Sequence, residues 1–191
     1  MLNFDEIFMK EALKAAQRAQ EADEVPIGAV ITCKNQIIAK AYNQVELLKD
    51  PTAHAEILAI TQAANALSMK WLKDCTLYVT VEPCCMCAGA IVLARLDRVC
   101  FGTFDPKAGA AGSVIDILRH PKLNHKPEIT SGIYAADCAG ILTEYFQKKR
   151  SEAKAIKAER SVESRSFRPQ AKAIKAERSA ESRSFRRVGK K

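Results

Sequence analysis

TLYVTVEPCCMCAGAIVLARLDRVCFG, residues 76–102, contains a strand, a helix and a second strand in direct succession. The β-branched and aromatic side chains of TLYVTV and RVCFG favour strands. Between them, the run from Cys85 to Arg95 has the length of a helix. Strands that alternate with helices are typical of α/β domains, so this stretch predicts the fold class.

The flanking sequence continues the alternation in both directions. Apolar residues at helical spacing predict a first helix over about residues 4–22, and IGAVITC after Pro26 forms a hairpin with IIAKAY. Asp50 and Pro51 indicate the cap and first turn of a helix that runs through AEILAITQAANAL. A further strand is predicted near EITSGI, before a last helix from about Cys138. The pattern predicts a three-layer α/β/α domain around a central mixed five-stranded sheet.

Length and composition indicate a globular protein. The 191 residues suit one domain with some additional length, and 48% of them are apolar, enough for a core without disulfides. No apolar run approaches the roughly 18–20 residues that a membrane span needs. The charged N-terminus lacks the apolar stretch of a secretion signal. We therefore expect a cytoplasmic protein with no membrane partner, in a compartment where disulfides are uncommon.

The surplus positive charge is confined to the C-terminal end. Residues 1–150 hold 17 basic and 17 acidic side chains, whereas residues 151–191 hold 13 and 5, which accounts for the whole net charge of +8. In that end, AKAIKAERSVESRSFR at 153–168 returns as AKAIKAERSAESRSFR at 171–186. We predict a folded domain over residues 1–160 and a basic, repeated tail over 161–191. The tail is expected to be flexible or partly helical and to contact an anionic partner.

Three of the four residues that follow Pro83 are cysteines: Cys84, Cys85 and Cys87. The alternatives are buried thiols, a disulfide, a redox pair and a metal site. A cytosolic setting disfavours the disulfide. In the first turn of a helix, positions i and i+3 point the same way, so Cys84 and Cys87 can reach one ion, whereas Cys85 is rotated by about 100°. A CxxC pair alone does not separate zinc from redox chemistry.

His54 and Glu56 favour the metal interpretation. With PCCMC, the segment PTAHAEI matches the H-x-E…P-C-x-x-C signature of zinc deaminases. Three protein ligands leave the fourth zinc position open, as in catalytic sites, and zinc there activates a water. Glu56 is then the candidate general acid and base. On a regular helix, residues two apart are separated by about 200°, so both can serve one metal only at the helix end or in an irregular turn.

Four motifs extend the comparison along the body: EVPIGAV at 24–30, DPTAHAEI at 50–57, EPCCMCAGA at 82–90 and FGTFDPKAGAAGS at 101–113. Together they resemble the bacterial tRNA-specific adenosine deaminases. The H-x-E and PCxxC elements are shared with cytidine, guanine and other deaminases, whereas the stretch from Asp105 to Ser113 is typical of the tRNA branch. The resemblance implies a cytidine-deaminase-like fold, a zinc-dependent deaminase domain over residues 1–160 with one Zn²⁺ per subunit, and a homodimer. It also implies conversion of the wobble adenosine of a tRNA anticodon to inosine.

The resemblance further implies roles for single residues. Asn43 would contact the flipped base, and Asp105 a ribose 2′-hydroxyl of the anticodon loop, which helps to distinguish RNA from DNA. Spacing alone would assign both residues to ordinary turns. At two positions the chain departs from the family pattern. Phe104 stands where the family often has Arg, and Gln147 replaces a basic residue.

The C-terminal end of the body matches the family's helix that embraces the anticodon loop. Aromatic side chains beside cations suit splayed bases and phosphates, although packing in the core is an equal alternative for at least one of the aromatics. The residues concerned are Tyr145, Phe146, Lys148, Lys149 and Arg150.

Two other functions compete with the tRNA deaminase. The first is a deaminase of a small base or nucleoside, such as guanine, against which the RNA-type loop and the basic C-terminal helix argue. The second is an RNA-binding module that zinc merely stabilises, which would need four protein ligands. No fourth ligand is apparent, because the remaining cysteines lie in or beside predicted core elements.

Overall fold

One mixed sheet forms the centre of the molecule, whose computed structural model describes residues 3–160. Its strands are β1 (Gly28–Cys33), β2 (Gln36–Tyr42), β3 (Cys75–Val81), β4 (Arg98–Thr103) and β5 (Glu128–Ser131). Their order is β2-β1-β3-β4-β5. β1 pairs antiparallel with both β2 and β3, while β3, β4 and β5 run parallel. The predicted mixed five-stranded sheet is confirmed.

The helices follow the predicted order with small differences in their bounds. They are α1 (Phe4–Glu21), α2 (Val45–Leu48), α3 (Ala55–Leu67), α4 (Cys85–Ala94) and α5, which begins at residue 135. The short α2 was not predicted. The predicted cap at Asp50 is wrong, because the Asp50 carboxylate instead closes a turn by accepting bonds from the Thr52 N–H at 2.8 Å and its hydroxyl at 2.7 Å. α3 therefore begins later, with His54 as its N-cap.

Helices cover both faces of the sheet, which confirms the three-layer arrangement. Side chains of successive strand residues point to opposite faces, and the core is accordingly divided into two clusters. On one face, α3 and α4 pack against Ile31, Leu77 and Phe101. On the other, Phe8 of α1 and Cys138 of α5 belong to a smaller cluster with the intervening strand residues, among them Val30, Tyr78 and Cys100.

α1 lies very close to the start of β1. A Cβ atom at Gly28 would lie 2.0 Å from the Ala12 carbonyl oxygen, so no larger residue fits there. A polar cluster fixes the same helix to the sheet. The Asp5 carboxylate accepts bonds from Arg98 Nη1 at 2.7 Å and Nη2 at 2.8 Å, and from the Tyr78 hydroxyl at 2.8 Å.

The described residues divide into two compact units, the first ending at Tyr145 and the second beginning at Phe146. Residues 146–160 are helical, and in this second unit Lys148 and Lys149 form ion pairs with Glu152. The predicted tail, residues 161–191, lies outside the described residues. Within residues 3–160, no helix is long and apolar enough to cross a bilayer.

Candidate metal and active site

The candidate metal ligands meet where two helices begin. His54 is the N-cap of α3 and Cys84 the N-cap of α4, and both have extended backbone conformations. Cys87 is the third residue of α4. His54 Nδ1 lies 3.6 Å from the Cys84 sulfur and 3.5 Å from the Cys87 sulfur. The ligand atoms of the three residues all lie within 4.8 Å of one another, so the group can hold a metal ion.

These distances fit zinc. A tetrahedral ion with Zn–N near 2.0–2.1 Å and Zn–S near 2.3 Å separates its nitrogen and sulfur ligands by about 3.6 Å. The observed separations of 3.6 Å and 3.5 Å agree with that value. Imidazole and thiolate are also the ligand types that zinc prefers, and three of them leave one position open.

Cys85 does not take part in this group. Its side chain is exposed, as expected from its rotation of about 100° from Cys84 around a helix. The other cysteines of the chain are in or beside the core, and none belongs to a metal-binding group among residues 3–160. The remaining described part of the chain therefore offers no fourth ligand.

Glu56 lies beside the ligand group although it follows His54 by only two residues. The extended backbone of the N-cap places the His54 side chain outside the helical spiral, while Glu56 is the second residue of α3. On a regular helix, His54 and Glu56 would be separated by about 200° and could not serve one metal. Here both can do so, because the site lies around the end of the helix. One carboxylate can thus approach the metal position without being one of the three ligands.

Burial gives Glu56 unusual chemistry. The residue is 4% exposed, and its Oε2 atom is one of the buried polar atoms that have no hydrogen-bond partner within residues 3–160. Burial raises the pKa of the Glu56 carboxyl above its ordinary value. A buried polar atom without a partner indicates a place that a ligand or water fills. A carboxyl with a raised pKa is also suited to proton transfer near neutral pH.

The side chains of Cys84, Cys87 and His54 share protons through hydrogen bonds. A hydrogen bond from the Cys87 thiol, supported by His54, lowers the pKa of Cys84 to about 4. The same interaction, together with burial, raises the pKa of Cys87, and the sulfur of Cys84 raises the pKa of the His54 imidazole. Because metal binding requires thiolates and a neutral imidazole, an ion would take the place of these shared protons.

Asn43 follows β2 and is held by a buried carboxylate. Its side chain is 4% exposed, and its Nδ2 donates to Glu24 Oε2 at 3.1 Å. The other oxygen, Glu24 Oε1, accepts the Leu47 N–H at 2.6 Å. The Asn43 N–H donates to the Ile27 carbonyl at 3.0 Å, so both backbone and side chain are fixed.

Asp105 begins a loop that is built around Glu82. Glu82 is 2% exposed and accepts the N–H groups of Asp105 at 3.0 Å, Ala111 at 2.8 Å and Ser113 at 3.1 Å, as well as the Ser113 hydroxyl. Burial alone would raise the pKa of Glu82, but these bonds, led by that of Ser113, hold it below its ordinary value. A Cβ atom at Gly109 would overlap the Glu82 carboxylate, which explains the glycine. Asp105 Oδ1 meanwhile accepts the Lys107 N–H at 2.9 Å.

The remaining candidates lie at the C-terminal end of the described chain. Tyr145 is 8% exposed, and its hydroxyl donates to the Asp23 carbonyl at 3.0 Å, so it takes part in packing within the first unit. Phe146 is 43% exposed. Lys148, Lys149 and Arg150 belong to the second unit, in which Lys148 and Arg150 are exposed and Lys149 is half-buried.

Comparison with known proteins agrees with this geometry. The sequence profile of the MafB19-like deaminases matches residues 3–150. A tRNA-specific adenosine deaminase of Bacillus subtilis (strain 168) is 46% identical over 153 residues, which cover 80% of this chain and 95% of that protein. This chain belongs to the tRNA-specific adenosine deaminase family.

Solved structures extend the likeness of this family member to three dimensions. A tRNA:A34 deaminase structure, from work on A-to-I editing at the wobble position of transfer RNA, is 45% identical with a TM-score of 0.69. The match covers 71% of this chain and 99% of that chain. A guanine deaminase of Bacillus subtilis is 37% identical with a TM-score of 0.52, covering 64% of this chain and 82% of that chain.

Two buried acidic residues of this deaminase had no role predicted from the sequence. Glu24 and Glu82 stand at the start of the motifs EVPIGAV and EPCCMCAGA. Each is an acidic residue next to apolar residues or proline at the end of a core element, a setting in which an unpaired carboxylate is rare. That contrast is the signal that could have identified them as organisers of polar contacts.

Proposed function

We propose that this enzyme converts the wobble adenosine of a tRNA anticodon to inosine by hydrolytic deamination, with one Zn²⁺ per subunit. The observation that carries the proposal is the group His54, Cys84 and Cys87 beside the buried carboxylate of Glu56, whose Oε2 has no hydrogen-bond partner within residues 3–160. It occurs in a chain that is 46% identical to a tRNA-specific adenosine deaminase over nearly the whole of that protein. We also propose a cytoplasmic location, where tRNA is modified.

The residues divide the chemistry between them. His54, Cys84 and Cys87 would hold zinc, which lowers the pKa of a bound water towards neutrality and so supplies the nucleophile. Glu56 takes up a proton from the attacking water and delivers it to a ring nitrogen of the base. It then takes up the remaining proton of the attacking oxygen and delivers it to the leaving amine, which departs as ammonia. The raised pKa of Glu56 favours this exchange, because the carboxyl can hold the proton between the two transfers.

Substrate contacts are assigned to the loops beside this centre. Asn43 would bind the flipped adenosine, and Asp105 a ribose 2′-hydroxyl of a flanking nucleotide. Both are supported by their fixed geometry: Glu24 holds the amide of Asn43, and Glu82 accepts the backbone N–H of Asp105. An anticodon loop suits such a site because flipping a base from a loop needs less energy than flipping it from a duplex.

The C-terminal residues are assigned to the RNA on either side of the target. Phe146 offers an exposed ring for stacking, whereas the buried Tyr145 contributes mainly through packing. The cations of Lys148, Lys149 and Arg150 would contact phosphates. Phe104, which is 55% exposed, would offer an apolar contact where the family often has a cation.

A second copy of the chain is the proposed protein partner. One face of α4 presents Cys85, Gly89 and Leu93, spaced four residues apart, and α4 has no charged residue. Leu93 is 79% exposed, and the space beside Gly89 is open. Such a face suits a homodimer contact. Sedimentation analysis should find a dimer that Leu93→Glu converts to a monomer with its zinc retained, and a wild-type monomer would refute this part of the proposal.

An inosine assay tests the proposed reaction directly. The wild-type enzyme and Glu56→Ala would be incubated with a tRNA anticodon stem-loop, and in parallel with free adenosine, guanine and cytidine. We expect inosine only from the stem-loop and only with the wild-type enzyme. Comparable specificity constants for free guanine or adenosine would instead support a deaminase of small molecules, of which the guanine deaminase fold is the structural precedent.

A further inference from the structure

Glu24 is a buried carboxylate that forms no ion pair with any residue of the described chain. The residue is 1% exposed, and among residues 3–160 it forms no ion pair; its partners are the Asn43 amide and the Leu47 N–H. Burying a charge in this way is unfavourable unless its hydrogen bonds are strong, and a neutral residue would fill the position more simply. Such an arrangement calls for a reason beyond packing.

The chemistry of the carboxylate fixes the direction in which Asn43 points. Both oxygens of Glu24 act as acceptors, Oε1 for the Leu47 N–H and Oε2 for the NH₂ group of Asn43, which therefore faces Glu24 at 3.1 Å. The Asn43 amide therefore turns its oxygen away from Glu24. Within residues 3–160 that oxygen accepts no hydrogen bond, so its acceptor capacity is left for a ligand.

We propose that Glu24 is a positioning residue which makes Asn43 present an acceptor, not a donor, to the substrate. The inference rests on the proposed function, in which Asn43 contacts the flipped nucleoside. The group that meets Asn43 Oδ1 must then be a donor, and adenosine has such groups in its exocyclic amine and its ribose hydroxyls. Glu24 touches no substrate itself and acts through the orientation of one amide.

The positioning role predicts how Glu24→Gln changes the orientation of the Asn43 amide. The glutamine can keep its oxygen on the Leu47 N–H, as Glu24 Oε1 does at 2.6 Å. Its NH₂ group then faces the NH₂ group of Asn43, and two donors cannot bond each other. The Asn43 amide has to rotate and present its NH₂ to the substrate donor. We expect kcat/KM to fall by about 10–100-fold, the usual effect of one unsatisfied polar contact.

A second substitution reverses the donor and the acceptor. Asn43→Asp alone places two carboxylates in contact, and kcat/KM should fall at least as far. In the double variant Glu24→Gln/Asn43→Asp, the glutamine NH₂ donates to the introduced carboxylate, whose other oxygen again faces the substrate as an acceptor. The double variant also carries the same formal charge at this pair as the wild type. It should recover to within about tenfold of the wild-type kcat/KM.

The experiment compares inosine formation from an anticodon stem-loop by the four proteins, with zinc content and melting temperature as controls. Glu46→Gln serves as the matched control, since Glu46 lies in the adjacent α2 with a side chain that is 73% exposed and pairs with the exposed Lys49. The decisive result is that the effect of Glu24→Gln on kcat/KM changes sign. The substitution lowers kcat/KM in the wild-type background and raises it in the Asn43→Asp background. If Glu24→Gln alone is unstable, the comparison of Asn43→Asp with the double variant remains, because these two proteins differ only at residue 24.

The possible results distinguish failure of the positioning role of Glu24 from failure of the proposed function. Losses that multiply in the double variant would overturn the positioning role and leave Glu24 a structural residue. A wild-type enzyme that forms no inosine from the stem-loop would overturn the proposed function, and with it the premise of the inference. Wild-type activity in Asn43→Ala would show that Asn43 does not bind the substrate, and this too would overturn the inference.

Discussion

His54 Nδ1 and the Cys84 sulfur lie 3.6 Å apart although thirty residues separate them in the sequence. Both residues are N-caps, His54 of α3 and Cys84 of α4. Helix N-termini carry partial positive charge and favour anionic groups such as thiolates. The ligand geometry is thus set by where two helices begin, on one face of the sheet, and not by a flexible loop.

The ligand assignment predicts the zinc content of cysteine variants. Cys87→Ser should lower zinc from about one ion per chain to a small fraction, and Cys84→Ser should do the same, because a serine hydroxyl does not replace a thiolate. Cys85→Ser is the matched control, one position along and exposed, and should keep its zinc. Metal analysis of the purified proteins measures the zinc content of each variant. Stoichiometric zinc in Cys87→Ser, or none in Cys85→Ser, would contradict the assignment.

The role proposed for Glu56 predicts that substrate binding and turnover can be separated. Glu56→Ala should retain zinc, fold and RNA affinity but lose about 10²–10⁴-fold in kcat, since it removes the proton carrier and leaves the three ligands in place. Single-turnover kinetics and RNA titration measure the two quantities separately. Loss of zinc in this variant would make Glu56 a ligand instead, and unchanged turnover would exclude it from the mechanism.

Local patterns in the sequence predicted the parts of this site that depend on neighbouring residues. The spacing of Cys84 and Cys87 and the exposure expected of Cys85 follow from helix geometry alone. The start of α3 could not be predicted in this way, because Asp50 can either cap a helix or close a turn. Only its hydrogen bond with Thr52 decides between these two roles. The setting of Glu24 and Glu82 indicates that each needs polar partners, but the partners themselves could not be predicted, since they are backbone, amide and hydroxyl groups 19 to 31 residues away.

Glu82 predicts a link between stability and RNA affinity. Glu82→Gln leaves one oxygen for the N–H groups of Asp105, Ala111 and Ser113, so at least one buried donor loses its partner. We expect the free energy of unfolding to fall by about 2–4 kcal/mol, and RNA affinity to fall because Asp105, the proposed contact to a ribose, is released. Ser113→Ala removes one hydroxyl donor and should have a smaller effect, of about 1 kcal/mol. Equal stability of Glu82→Gln and the wild type in urea denaturation would refute this account.

The Asp5–Arg98 pair predicts how stability depends on pH. The Arg98 guanidinium, with help from the Tyr78 hydroxyl, holds the pKa of Asp5 below its ordinary value of 3.8. Above pH 3.8, Asp5 is ionised in both the folded and the unfolded state, so the pair makes its full contribution to the free energy of unfolding. That contribution is lost as the pH falls below 3.8 towards the lower pKa of Asp5 in the folded state. Asp5→Asn should lower stability by about 1–3 kcal/mol at pH 7, since both side chains are only about one quarter exposed.

Urea denaturation of the wild type and Asp5→Asn at a series of pH values tests this prediction. The difference between the two proteins should narrow as the pH falls below 3.8, and any loss of zinc affects both equally. Glu21→Gln, an exposed acidic position at the end of α1, is the control and should change little at any pH. A constant difference down to about pH 2, well below the ordinary pKa of a carboxyl, would show that the asparagine acts through packing and not through charge.

The repeated tail predicts a separation of RNA affinity from chemistry. Residues 160–191 carry 11 basic and 3 acidic side chains, so truncation after Glu159 removes the whole net charge of +8. A neutral body has no long-range attraction for RNA, whereas the candidate metal ligands and Glu56 all precede the tail. The truncated enzyme should therefore keep its zinc and its single-turnover rate at saturating tRNA, but bind tRNA more weakly.

Binding of tRNA by the truncated enzyme should also depend less on salt. The slope of log affinity against log salt concentration should be smaller by about 0.7 for each phosphate that the tail no longer neutralises. Truncation after Gln170 retains one copy of the repeat and should give an intermediate slope. Superimposable salt titrations of the three proteins would show that the tail contributes nothing to RNA binding.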